Sequence, residues 1–397
     1  MADAVVVGAG LAGLACARRL AAAGLEVEVH EAGDAVGGRV RTDVVDGMLL
    51  DRGFQVHNTA YPEAQVVLDH EALDLRPFAA GALVRVGDRL HRVGDPRRRP
   101  GWALSTAASP IGSLPDKARV AATSLRAMGP VDRLKRAPET TTRQALRDRG
   151  FSDTVVDRFF RPFLSGVFLE DQLETSSRFF DLVWRSFALG TQCVPAAGMG
   201  AVPAQLARGL DVHLERPVAA LDRRTPVVVA TGPTAAAALL PQLPAPRTNS
   251  VTTLYHLADA PPVDEPAVVL DGEASGPVVN SIVLTNAAPS YAPGRVLVSS
   301  SVVTGDPSEP GVRAHLERLY GVSTATWEHV ATYDVREALP SQAPPLGGLR
   351  KPVRLEPGLY VCGDHRDTGS IQGALVSGRR AADALLLDLR HGGRATG

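Results

Sequence analysis

Hydrophobic positions along the chain change period in a readable order. Ala4–Val7 is a continuous apolar run, which predicts a strand covered on both faces. A glycine turn follows, and "LAGLACARRLAAAG" (Leu11 to Gly24) then repeats apolar residues every three or four positions. That is the period of an amphipathic helix, with Gly24 as its left-handed cap. "EVEVHE" (Glu26 to Glu31) alternates valines with polar residues and predicts a second strand. Helical periods return in "SPIGSLPDKARVAATSLRAM" and "TTTRQALRDRGFSDTVVDRFFRPFLSGVF", with Ser, Thr and Asp near the starts. Beyond residue 248, "SVTTLYHL", "AVVLDG", "PVVNSIVLT" and "RVLVSSSVV" predict an antiparallel sheet, and "EPGVRAHLERLYG" a helix. The uncharged stretch Thr225 to Pro246 is broken by five prolines, so it predicts strand, turn and short helix rather than a membrane span.

A length of 397 residues favours two lobes. With 45% hydrophobic and 21% charged residues and a net charge of -1, nothing draws the chain to nucleic acid. The cluster Arg97-Arg98-Arg99, between Pro96 and Pro100, is read as a solvated loop in preference to a membrane or anion contact. Three cysteines without CxxC spacing suit a reducing compartment, and "ADAVVVGAG" follows Met1 without a basic leader, so a cytoplasmic, soluble protein is expected. The ten histidines show no metal-ligand spacing, and no metal site is expected.

Chemistry enters at the first turn. Gly8, Gly10 and Gly13 match G-x-G-x-x-G between strand and helix. The glycines allow a tight turn, close approach of a pyrophosphate and close helix–strand packing, while the helix N-terminus favours the anion. Glu31 lies eighteen residues past Gly13, where a carboxylate accepts hydrogen bonds from ribose hydroxyls and repels a 2′-phosphate. A dinucleotide other than NADP is indicated.

"AGDAVGGRVRT" (Ala32 to Thr42) carries Gly37-Gly38-Arg39 and resembles the second fingerprint of the flavin amine oxidase, phytoene desaturase and protoporphyrinogen oxidase superfamily. "LLDRGFQVHNTAYPEA" (Leu49 to Ala64) looks like the segment passing the flavin ring in that superfamily. "DVHLERPVAAL" (Asp211 to Leu221) resembles the strand whose Pro-Val step lies beside adenine, and "GLYVCGDHRDTGSIQGALVSGRRAADALL" (Gly358 to Leu386) the closing flavin motif. The resemblance implies FAD, held by Gly8, Gly10, Ala12, Gly13, Glu31, Gly38, Arg39, Gly53, Phe54, Gln55, Val56, Val218, Gly363, Asp364, Ile371 and Gln372. It also implies an α/β fold, with a Rossmann-like, glutathione-reductase-like FAD domain and an inserted α+β substrate domain. The FAD domain is assigned to 1–78, 190–247 and 340–397, and the substrate domain to 79–189 (mainly helical) and 248–339 (sheet). In one departure, only about seven residues separate Val218 from "PVVVATG", where members of the superfamily carry a longer glycine-bearing hairpin.

Three enzyme readings differ in what they need beside FAD. Amine oxidases commonly place a lysine on a sheet strand near the flavin and a tyrosine in the closing motif. Here "TNSVTTLYHLADA" has no lysine, Lys117, Lys135 and Lys351 are the chain's only ones, and Ser370-Ile371 stands at the tyrosine's place. A desaturase or dehydrogenase of an apolar molecule needs an apolar tunnel. Eight of ten phenylalanines fall between Phe151 and Phe187 with Trp184 among them, mostly core by their helical spacing but with one or two expected at the flavin. A porphyrinogen oxidase is suggested by "ALPSQAPP" (Ala338 to Pro345), without a cationic cluster nearby.

No residue is assigned as catalytic. His57, Tyr333, His365 and Gln372 are candidates, Gln55 and Gln342 are further polar groups, and Cys362 or His57 offer a covalent flavin link in principle. The leading expectation is hydride transfer from a small, mainly apolar substrate, such as an isoprenoid or polycycle, to FAD, with oxygen or another acceptor re-oxidising it. Peripheral membrane contact is left open. A non-catalytic alternative is a binding module like the prenyl-protein escorts, against which Glu31, Gly38, Arg39 and Asp364 speak.

Overall fold

The structure is a computed structural model that describes residues 2–392. Ala4–Val7 forms the centre of a six-stranded sheet in the order Asp211–His213, Val27–His30, Ala4–Val7, Val227–Val229, Leu359–Val361 and Arg354–Glu356. All neighbours run parallel except the last pair. Alternation along each strand sends side chains to two different cores. Val6 and Val29 join Leu14 and Leu385 beneath the helices Leu11–Ala21 and Ile371–Gly392. Val7, Val227 and Val229 join Leu240 on the opposite face, near the short helix Pro233–Leu239. The two long helices cross closely because Gly378 has no side chain: a Cβ there would stand 2.1 Å from the Ala12 carbonyl oxygen.

A second, seven-stranded sheet takes the order Glu328–Pro340, Thr248–Ala258, Val296–Val302, Val278–Val283, Val268–Asp271, Gly81–Val86 and Arg89–Gly94. The wholly antiparallel sheet expected from the sequence is corrected here, since Val268–Asp271 runs parallel to Gly81–Val86. The first insert therefore contributes two strands before it turns helical. Helix Glu309–Tyr320 covers one face through Val312, Leu316 and Leu319, packed with Leu254 and Val298.

The helical part contains Leu114–Ala127, Thr142–Asp148, Ser177–Leu189 and a continuous helical stretch from Asp153 to Phe168, whose turn Val156–Phe160 is a π-turn. Ser113 and Asp116 close a capping box at the start of Leu114–Ala127. Phe151, Phe160, Phe168 and Phe180 are buried among Leu146 and Leu164, as aromatic core.

Between the lobes lies the carboxylate of Asp51. It accepts hydrogen bonds from Thr42 Oγ1 (2.5 Å), the Met199 N–H (2.9 Å) and the Tyr291 hydroxyl (2.8 Å), while the Tyr255 hydroxyl donates to its backbone carbonyl at 2.8 Å. Two tyrosines of the substrate lobe are thereby fixed to the strand Met48–Asp51.

Candidate active site

The first turn is shaped by steric necessity. Gly8 adopts φ +105°, and a Cβ on it would meet the Ala230 carbonyl oxygen at 2.9 Å. A Cβ on Gly13 would lie 1.9 Å from the Gly8 oxygen, so only glycine lets this helix start so near the strand. Gly10 differs: a Cβ there meets nothing within 4 Å, and the residue lines an open cleft. Helix Leu11–Ala21 begins there without a side-chain cap or an acidic residue in its first turn, leaving its N–H groups for an anion. Glu31 faces the same turn, its Oε2 accepting from the Ala9 N–H at 2.7 Å and its Oε1 from the Gly33 N–H at 2.8 Å. The Gly37 N–H donates to the Ala9 oxygen at 2.8 Å, which brings the Gly37-Gly38-Arg39 loop across the cradle.

Three distant parts of the chain meet at Arg39. Its guanidinium donates to Asp364 Oδ1 at 2.6 Å and to the Ala338 carbonyl at 2.9 Å. Burial works against the charge, but Asp364 outweighs it and raises the pKa above the ordinary arginine value. Asp364 follows Gly363 at the end of Leu359–Val361, and Gly363 donates its N–H to Ser377 Oγ at 2.9 Å. The final helix starts at Ile371, with Ser370 Oγ accepting the Gly373 N–H at 3.0 Å. Opposite, Gly53, Phe54, Gln55 and Val56 border the same space. Gln55 donates through Nε2 to the Arg39 carbonyl at 2.7 Å, while its Oε1 is buried with no partner.

These residues line one continuous cavity of about 1650 Å³, from Gly10 and Glu31 past Arg39 and Asp364 into the helical lobe. A single small-molecule pocket is roughly 300–1,000 Å³, so a dinucleotide and a substrate fit end to end. The residues suit FAD on the structure's own terms: an open Gly10 cradle, an uncapped helix start, a carboxylate held over it and an orphaned amide oxygen at Gln55. Ala12, Gly38, Val218, Ile371 and Gln372 also line the cavity.

One placement is corrected. The strand at Asp211 ends at His213, so Pro217 and Val218 lie in an irregular segment rather than in a strand. The segment from Leu214 to Pro226 forms no strand, and the Glu215 and Arg216 N–H groups donate to the Gly33 and Glu31 carbonyls to continue the pairing.

Of the four candidate catalytic side chains, only Gln372 lines the cavity; its Oε1 accepts the Glu63 N–H at 3.1 Å. His57 turns away, its Nε2 3.1 Å from that of His70, and burial, aided by His70, pushes its pKa down to about 4. His365 is buried beneath Gly363 with both ring nitrogens unpartnered, its pKa also pushed by burial to about 4. Tyr333 packs edge-on to Tyr255, away from the cavity wall. Gln342 is buried, 3.3 Å from the Asp367 carbonyl. Cys362 is fully buried just past the strand Leu359–Val361, and neither it nor His57 borders the cleft where a covalent link would form.

The far end of the cavity is apolar, with Phe159, Phe163, Phe179, Trp184 and Phe187 on its walls. Among the residues lining the cavity, Asn280 Oδ1 and Gln192 Nε2 are buried without partners. Sequence reasoning passed over Asn280, although a lone amide inside "PVVNSIVLT" was a signal.

The sequence model for "Flavin containing amine oxidoreductase" matches residues 11–386. The hydroxysqualene dehydroxylase of Rhodopseudomonas palustris is 30% identical over 96% of this chain and 97% of its own. Protoporphyrinogen oxidase 2 of Arabidopsis thaliana is 29% identical over 42% of this chain and 32% of its own. Among solved structures, the cyclohexylamine oxidase of Brevibacterium oxydans superposes with TM-score 0.72 at 17% identity, over 98% of this chain and 99% of its own, a likeness of fold.

Proposed function

The chain belongs to the flavin containing amine oxidoreductase family and is an FAD-dependent oxidoreductase acting on a small organic molecule; from that premise we propose that its substrate is an extended isoprenoid bearing a single hydroxyl group. The observation that supports this reading is the aromatic and aliphatic part of the chamber wall, Phe159, Phe163, Phe179, Trp184 and Phe187, with Asn280 Oδ1 and Gln192 Nε2 unpartnered among the lining residues; Arg97, Arg98, Lys117, Lys135 and Arg185 also border the cavity. An apolar chain with one polar group satisfies such a wall. A diamine would strand its cations against the aromatic wall and beside Arg97, Arg98, Lys117, Lys135 and Arg185. The full-length similarity to a hydroxysqualene dehydroxylase points to the same chemistry.

Bound FAD supplies two-electron chemistry at its ring; the protein orients the substrate and excludes water. Gly10, Glu31, Arg39 and Asp364 would hold the dinucleotide, and Gly53–Val56 with Gln372 would border its ring. Asn280 or Gln192 would position the substrate's hydroxyl. Removal of a hydroxyl replaces C–OH by C–H, so two electrons and two protons enter and water leaves. Desaturation is the second reading and reverses the flow, with oxygen or another acceptor consuming the electrons; the same apolar chamber supports it. Amine oxidation has less support, since Thr248–Ala258 carries no lysine and Ser370 stands before the closing helix.

Peripheral contact with an anionic membrane belongs to this reading. Leu104, Leu114, Leu125 and Val131 are exposed beside the chamber. Residues 97–136 carry nine Lys or Arg against two Asp, in a chain of net charge -1. Among the described residues no helix is long and apolar enough to cross a membrane. A cytosolic location suits the three unpaired, buried cysteines.

The test is anaerobic. Hydroxysqualene added to the photoreduced holoenzyme is expected to restore the oxidised flavin spectrum and yield the dehydroxylated hydrocarbon. Bleaching of oxidised enzyme by a saturated isoprenoid would favour the second reading. If only amines or porphyrinogens change the spectrum, the isoprenoid reading is wrong.

A further inference from the structure

Two adjacent parallel strands at the edge of the FAD-domain sheet bring together four metal-ligating side chains that are far apart in sequence. Asp211 is in register with Glu28, and His213 with His30. Within each strand the two residues are separated by one, so all four share a face, while Val27 and Val29 point into the core beneath the helices. The segment from Leu214 to Pro226 forms no strand or helix, and His30, Glu28 and His213 remain partly accessible, at 13%, 39% and 37%.

The distances match a coordination shell. Glu28 Oε2 stands 3.1 Å from His30 Nε2, and Asp211 Oδ2 stands 3.3 Å from His213 Nε2. Ligand atoms at ~2.0–2.1 Å from a tetrahedral ion are roughly 3.3 Å apart. The ligand atoms of Glu28, His30 and His213 already lie within 4.8 Å of one another. A second observation concerns geometry rather than spacing: Nε2 of His213 is shielded from solvent and makes no well-formed hydrogen bond, although Asp211 Oδ2 lies 3.3 Å away. A shielded imidazole nitrogen beside a carboxylate and a second imidazole is a donor set lacking its acceptor.

We propose that Glu28, His30 and His213 form a site for a divalent transition metal of the Zn²⁺ class, with Asp211 or water in the fourth position. Two imidazoles and a carboxylate select such an ion over Ca²⁺ or Mg²⁺, which take oxygen ligands. The ion would tie the three-residue edge strand to its neighbour. That strand matters to the cofactor cradle, because the His213 carbonyl accepts the Glu31 N–H at 2.9 Å. Bound metal would therefore stiffen the ribose end of the cleft, which His30 itself borders.

The experiment is equilibrium dialysis of holoenzyme against Zn²⁺, with Co²⁺ replacing it to read coordination through absorption at wavelengths beyond the flavin's. One equivalent should bind, and the Co²⁺ complex should show tetrahedral bands. His213→Asn and Glu28→Gln should each weaken binding by at least about tenfold, with flavin content unchanged. Both side chains are partly exposed, so at least one variant will report on a folded protein. Absence of Zn²⁺ binding, or binding that survives both substitutions, would overturn the proposal; survival would assign the ion to another imidazole pair such as His57 and His70.

Discussion

Gly10 and Gly13 sit three residues apart in one motif, yet the structure gives them different duties. A methyl group at position 13 would be driven against the Gly8 carbonyl at 1.9 Å, whereas at position 10 it would enter the cleft and touch no protein atom. Gly13→Ala should therefore lose both FAD and about 1–3 kcal/mol of stability, as overpacking requires. Gly10→Ala should melt like the parent apoprotein but bind FAD at least about tenfold more weakly, a loss of ~1.4 kcal/mol. Flavin fluorescence titration and apoprotein melting separate the two, and equal melting losses would refute the distinction. Such residues were legible in the sequence because each meets a local backbone demand. The candidate side chains were not. Val56 borders the cleft while His57, next in line, turns to His70; Asp364 meets Arg39 while His365 is buried beneath Gly363. Proximity to a motif does not reveal which way an extended residue faces.

At the level of elements, the segment Phe151–Phe187 divides between two environments. Phe151, Phe160, Phe168 and Phe180 are core, and Phe159, Phe163, Phe179 and Phe187 line the chamber. The sequence shows the aromatic period but not which face meets a cavity. The strand Glu328–Pro340 escaped sequence reading for another reason. It lies at a sheet edge and carries Glu328, His329, Thr332, Asp334, Arg336 and Glu337, so its apolar signal is diluted. Helix Leu114–Ala127 was plain from its period and its Ser113–Asp116 cap, but the exposure of Leu114 and Leu125 was not. If this helix contacts an anionic bilayer, vesicles rich in phosphatidylserine should sediment the protein and uncharged vesicles should not. The double substitution Leu114→Asp and Leu125→Asp removes two exposed apolar contacts and adds two like charges. Vesicle partitioning should fall at least about tenfold while melting temperature holds. Undiminished sedimentation would exclude this face as the membrane contact.

Three separated stretches of chain close on one another through Arg39, Asp364 and Ala338, so the stability of the whole molecule and the shape of its cleft depend on the same buried polar groups. Other buried groups set a pH response. His57, His256 and His365 are each held near pKa 4, below the ordinary 6.5, first by burial. Neighbouring charge adds to this at His57 through His70; at His256, Glu309 opposes it and His329 and Arg313 assist; at His365, Asp364 opposes it against Arg366, Arg39 and Lys351. As pH falls below 6.5 the unfolded chain takes up these protons before the folded one does, so the stability they confer is full above 6.5 and lost down to about pH 4. The loss is on the order of 3 kcal/mol per histidine at most. Asp51 acts oppositely. Burial raises its pKa to about 6 despite hydrogen bonds from Thr42, Met199 and Tyr291, so the folded state gains stability as pH falls from 6 toward 3.8. His70 and His91, also lowered by burial, act with these three imidazoles, and Asp367, raised by burial, acts with Asp51, so unfolding takes up protons on balance within this window. Melting temperature should therefore decline steadily from pH 6.5 to 4. His365→Gln should flatten the decline and Asp51→Asn should steepen it, because the first removes a proton that only the unfolded chain takes and the second removes one that the folded chain takes first. Denaturant melts across the pH series would detect both. A flat profile in the parent protein would mean that the buried imidazoles are reached by water, and the packing described around His57, His256 and His365 would be wrong.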